Sequence, residues 1–139
     1  RYGGGVSCGH TSTASHEYVV NNTIVGNAAT LGGGLYVFAV SSASVSNNIV
    51  AFNARGIHKE AGSGVPSLKT NCLYGNDGGN YSGIGQGTTD ILSDPLLASV
   101  TYGNIHIQPT SPCRNTGNPG PHCNPRPAAS LCIPGGSHP

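Results

Sequence analysis

The chain has 139 residues, one domain's worth, of which 36% are hydrophobic and 8% charged, with 22 glycines and a formal net charge of +1. Its six basic residues, Arg1, Arg55, Lys59, Lys69, Arg114 and Arg126, are scattered, whereas a nucleic-acid surface gathers them into a stripe that displaces counterions, so that class is excluded. No apolar run approaches the roughly 18 residues of a membrane span, and low charge with abundant Gly, Asn, Ser and Thr fits short strands and tight turns better than disorder.

The first element is "GGGVSC" at residues 3–8, where glycines make a corner and the aliphatic residue that follows starts a strand. A chain that starts at Arg1 and contains no methionine reads as a processed product or as a piece of something longer. A strand around Val19 follows, then the block "NNTIVGN" at 21–27. Corner and strand return as "GGGLYV" at 32–37, a strand around Val45 follows, and "NNIVAFN" fills 47–53. A third round runs through "RGIHK" at 55–59, Leu68 and "TNCLYGN" at 70–76, and "SGI" at 82–84 opens a fourth.

Aligned on Asn22, Asn48 and Asn71, the blocks repeat after 26 and 23 residues, a period at which repeats mean stacked supersecondary units. Three positions before each anchor stand Val19, Val45 and Leu68, and two positions after it stand Ile24, Val50 and Leu73. Another 23 residues reach Asp94, flanked in the same frame by Ile91 and Leu96. Three short strands per round make one coil of a parallel β-solenoid. Alternation of side chains then makes Val19, Val45, Leu68, Ile91, Ile24, Val50, Leu73 and Leu96 the core rungs. Asn22, Asn48 and Asn71 become a ladder of stacked amides that Asp94 ends, each satisfying corner groups that cost about 1–3 kcal/mol if buried unpaired.

The closing segment, "SDPLLASVTYGNIHIQPTSPCRNTGNPG", alternates through Ile105, His106 and Ile107, which turns His106 outward. Residues 1–112 are therefore assigned to the coils and 113–139 to a Pro/Gly/Cys-rich tail or cap. Five cysteines, Cys8, Cys72, Cys113, Cys123 and Cys132, in so charge-poor a chain point to an oxidising compartment. All five are disulfide candidates, with Cys113, Cys123 and Cys132 in the tail foremost; Cys8 also reads as a small buried residue. An odd count leaves one thiol over, and spacing does not choose the pairing. Asn21 and Asn80 match the N-glycosylation acceptor pattern.

The repeat blocks resemble the right-handed parallel β-helix proteins of the pectate-lyase-like superfold, in particular secreted and surface-displayed bacterial ones. The closing segment is similar to that of choice-of-anchor β-helix surface proteins. Asp94, Pro95, Leu96, Gly103, His106, Ser111, Pro112 and Gly117 match that pattern, while Asn104 and Asn115 stand where the family has acids. The resemblance implies an all-β, right-handed parallel β-helix of about four to five coils, with an irregular disulfide-bonded tail. It also implies a secreted or cell-surface location.

Enzymes of that superfold cluster carboxylates with His, Arg or Lys. The five carboxylates here, Glu17, Glu60, Asp77, Asp90 and Asp94, are never adjacent, and glycoside hydrolysis requires a pair about 5–10 Å apart. No catalytic residue is assigned, no cofactor is expected, and the histidines show no metal-ligand spacing. His58, Lys59 and Glu60 read as a solvated loop, and Tyr36, Tyr74 and Tyr81 as candidates for stacking on sugar rings. Open solenoid ends expose strand edges that recruit partners. The expected role is thus a non-catalytic structural or adhesive module. It self-associates through those ends as a head-to-tail filament subunit, or continues a larger chain. The alternative is a fragment of a polysaccharide-binding or polysaccharide-cleaving β-helix protein.

Overall fold

The computed structural model describes residues 2–10, 15–39 and 41–117. Each coil holds three strands of three residues: β1 (Val6–Cys8), β2 (Tyr18–Val20) and β3 (Thr23–Val25); then β4 (Leu35–Val37), β5 (Ser44–Ser46) and β6 (Ile49–Ala51); then β7 (Ile57–Lys59), β8 (Ser67–Lys69) and β9 (Cys72–Tyr74). β10 (Tyr81–Ser82) begins a fourth coil. Strands stack on their counterparts one coil away, in the parallel orders β1-β4-β7-β10, β2-β5-β8 and β3-β6-β9. The molecule is a parallel β-helix.

Register explains the core. Val19, Val45 and Leu68 are direct partners, as are Ile24, Val50 and Leu73, and all six are buried. The first sheet adds the column Val6, Leu35, Ile57 and Tyr81. Strands this short bring only one or two residues each to the hydrophobic interior, with Cys8 and Val37 forming a second buried pair on the first sheet, so corners must be tightly packed as well. Gly34 shows how tightly: a Cβ there would lie 2.4 Å from Val50 Cγ1, so the chain passes over the core where no side chain fits.

Two of the corners are built the same way. Asn21, Asn47, Thr70 and Thr89 have φ of 60°, 58°, 58° and 62°, and each immediately precedes a ladder position. Gly26, Phe52 and Gly75 have φ of 70°, 55° and 58° before Asn27, Asn53 and Asn76. Asn and Gly enter the left-handed region readily, while Phe does so against steric resistance.

The fourth coil departs from the 23-residue frame. Asn71 is followed by its counterpart after 19 residues, at Asp90, because the path from β10 back to the corner is shorter than in the coils below. Ile91 consequently bridges Cys72 on the outward column and is only half-buried. Leu96 is not a core rung either: it lies outside any strand, half-buried, at φ 50°. Asp94 does not end the ladder; its Oδ1 accepts the Leu96 N–H at 2.8 Å in the segment that leaves the solenoid.

That segment forms β11 (Leu97–Ser99), a 3-10 turn at Val100–Tyr102 and β12 (Asn104–Ile107), with β11 and β12 antiparallel. His106 is exposed as expected, but Ile105 and Ile107 are also 42% and 38% exposed. Cys123, Cys132 and the rest of the tail after Gly117 lie outside the described residues. No helix among the described residues is long and apolar enough to cross a membrane.

Candidate functional site

The structural centre of the molecule is a pair of asparagine ladders. In the first, Asn48 Oδ1 accepts both the backbone N–H and the Nδ2 of Asn22, each at 3.0 Å. Asn71 Oδ1 takes the same two bonds from Asn48 at 3.1 and 2.9 Å. Asp90 Oδ1 takes them from Asn71, at 2.6 and 3.2 Å. The amide nitrogens also donate backwards, Asn48 to Val19 O at 2.8 Å and Asn71 to Val45 O at 3.0 Å. A carboxylate suits the last step because that step only accepts.

The second ladder stands one corner on. Asn53 Oδ1 accepts from Asn27 N and Nδ2 at 2.9 and 3.1 Å, and Asn76 Oδ1 accepts from Asn53 N and Nδ2 at 3.1 and 3.0 Å. Asn76 Nδ2 then donates to Asn80 Oδ1 at 2.8 Å. These residues were not among those singled out as a ladder from sequence. The signal was present in the pattern Asn-x4-Asn of all three blocks, since five residues carry the chain across one strand to the next equivalent corner.

Both ladders point the same way, which makes the two ends of the solenoid unlike. Each Oδ1 faces the preceding coil, so at the lower end Asn22 and Asn27 present acceptor oxygens with no coil beneath them among the described residues. Around them, among the described residues, β1, β2 and β3 are paired on one side only. Apolar surface gathers at the same end: Tyr2, Tyr18 and Val20 are 66%, 74% and 38% exposed. The upper end is different. Above β8 and β9 the chain makes single bridges, Lys69 to Thr88 and Cys72 to Ile91, before turning away.

Asp90 is occupied on both oxygens, because its Oδ2 accepts from Tyr81 Oη at 2.8 Å and from Gly87 N at 3.0 Å. Burial, followed by the bond to Asp90, pushes the Tyr81 hydroxyl far above the usual phenol range. Glu17 is similarly engaged: burial opposes its ionisation, but serine hydroxyls including that of Ser41, its own N–H and His16 bring its carboxyl below the usual value. No group of three or more His, Cys, Asp or Glu side chains among the described residues could hold a metal ion.

The three tyrosines proposed for sugar stacking do not share a face. Tyr81 falls in the inward column with Leu35 and Ile57 and packs on the core. Tyr74 lies on the outer side of a different sheet, edge-on to Phe52 at 5.9 Å. Tyr36 is outward but buried between rings, with Tyr2, Phe38 and His58 stacked at 5.4, 5.7 and 5.5 Å. His58 and Lys59 thus belong to β7 rather than to a solvated loop. Burial first, with Arg55 adding to it against the pull of Glu60, lowers the His58 pKa.

Asn21 is exposed at its left-handed corner. Asn80 is committed to the second ladder and to Leu73 O at 3.2 Å. Cys8, Cys72 and Cys113 are free thiols, so no described pair forms the expected disulfides. A family model described as disaggregatase related matches residues 43–119. No curated protein and no solved structure matches the chain.

Proposed function

Because the chain belongs to the disaggregatase-related family, we propose that it serves as a non-catalytic, secreted or cell-surface β-helix module that works by stacking. One observation carries this reading: the lower rim is an unfinished coil interface. Among the described residues it offers three strand edges, and there the Oδ1 atoms of Asn22 and Asn27 meet no further coil. A coil with asparagines at the same two corners would donate an N–H and an Nδ2–H to each oxygen. That coil comes from further chain of the same protein or from a second copy, in which case head-to-tail contacts build a filament.

Analytical ultracentrifugation and electron microscopy of the full chain test self-association. Mass should grow with concentration into uniform rods, and Val20→Lys, which places a charge on the open edge, should keep the protein monomeric. A wild-type chain that stays monodisperse at high concentration would exclude self-stacking and leave the role to a longer chain.

A second reading, binding of polysaccharide with or without cleavage, is favoured by the exposed rings of Tyr2 and Tyr18 on the first coil. Incubation with uronate polymers separates the two. Unsaturated products would overturn the non-catalytic assignment, and binding without products would make the rim a glycan platform.

A further inference from the structure

Cys72 opens β9 in the outward column Thr23, Ile49, Cys72, yet it is only 3% exposed. The closing segment covers it. Ser93 O accepts the Cys72 thiol at 3.3 Å, and Cys113 lines the same cavity wall beside it. Cys113 is held there by Ser111, which is buried, donates its hydroxyl to Pro95 O at 2.6 Å and accepts the Cys113 N–H at 3.1 Å. Two thiols 41 positions apart (113 minus 72) are thus brought together by different elements. They share the wall of a cavity of about 100 Å³ with Ile49, Ile91 and Ile107.

The pair is chemically asymmetric. The neighbouring Cys72 thiol, helped by Ser111, outweighs burial and the Asp94 charge and brings the Cys113 thiol down to about 7. Cys72 is pushed far up, first by the neighbouring Cys113 sulfur and then by burial. Cys113 is half-buried and Cys72 is enclosed, so the group that ionises is also the one within reach of solvent.

We propose that Cys72 and Cys113 form a redox clasp, a disulfide that fastens the closing segment to the flank of the third coil through exchange with a low-molecular-weight disulfide. The Cys113 thiolate attacks one sulfur of the small disulfide, forming a mixed disulfide and releasing one small thiolate. Cys72 gives up its proton to that leaving group and attacks Cys113 Sγ, which expels the second small thiol. Two protein thiols and one small disulfide become one protein disulfide and two small thiols. Thiolate character and access favour Cys113 as the attacking group. The consequence is mechanical: the segment carrying β11 and β12, exposed throughout 101–110, becomes covalently tied to the solenoid. The clasp is independent of the stacking reading.

The test is disulfide mapping of the full chain after incubation with oxidised glutathione, by alkylation under denaturing conditions and mass spectrometry of the peptides. The expected product is a Cys72–Cys113 cross-linked peptide lacking two hydrogens, with a thermal midpoint about 5–10 °C above that of the reduced protein. Cys72→Ser should stall with glutathione on Cys113, and Cys113→Ser should leave Cys72 unmodified. Pairing of Cys113 with Cys123 or Cys132 instead, or recovery of both Cys72 and Cys113 as alkylated thiols, would overturn the proposal.

Discussion

Asn48 in the first ladder, like Asn53 in the second, is bonded both above and below. Asn48 accepts two bonds from Asn22 and donates to Val19 O, Ser46 O and Asn71 Oδ1, all while 1% exposed. Removing it leaves buried donors and acceptors above and below without partners, each costing about 1–3 kcal/mol. Asn48→Ala should therefore destabilise by about 3 kcal/mol or more. Asn22→Ala should cost about 1 kcal/mol or less, since Asn22 is exposed and its lower side is open. Urea denaturation of the two variants measures the difference; equal losses would show that the ladder is not read from its middle. The anchor Asn22, Asn48 and Asn71 was legible in the sequence because identical side chains recur at one period. Asp90 was not, because finding it requires knowing that the last coil is four residues shorter.

At the scale of the element, the corners decide which residues the strands can carry. Gly34 and Gly26 separate two reasons for glycine. At Gly34 a Cβ meets Val50 Cγ1 at 2.4 Å and the Asn53 amide at 3.3 Å, with no positive φ involved. At Gly26 φ is +70°, but nothing lies within 4 Å of the added atom. Gly26→Ala should cost about 1 kcal/mol, the left-handed penalty alone. Gly34→Ala should cost about 2–4 kcal/mol, since the core must shift to admit the methyl group. Thermal denaturation of the pair checks this; a Gly34 variant as stable as wild type would mean that the corner is looser than its contacts indicate. The strands themselves were visible as aliphatic pairs after each asparagine. The inward turn of Tyr81 followed from register with Leu35 and Ile57, which composition does not contain.

At the scale of the whole molecule, stability in a solenoid passes between neighbouring coils. Among the described residues the second coil is paired above and below, whereas the first is paired on one side. Hydrogen exchange should accordingly be slowest in β4, β5 and β6 and faster in β1, β2 and β3, and protection of the first coil should rise with protein concentration if copies stack. Concentration-independent exchange there would count against self-association through that rim. The same asymmetry gives the molecule its direction, since every ladder oxygen faces the preceding coil.

By itself the sequence determined the repeat, the aliphatic column on each strand and the first asparagine ladder, because these depend on local alternation and on a period that the chain restates. Only the tertiary structure decided where the fourth coil closes, that Asp90 rather than Asp94 ends the ladder, that Asn27, Asn53 and Asn76 form a second one, and that Cys72 meets Cys113. Each of those depends on how far the chain travels between corners, and loop length changes that distance without leaving a mark on the residues at either end.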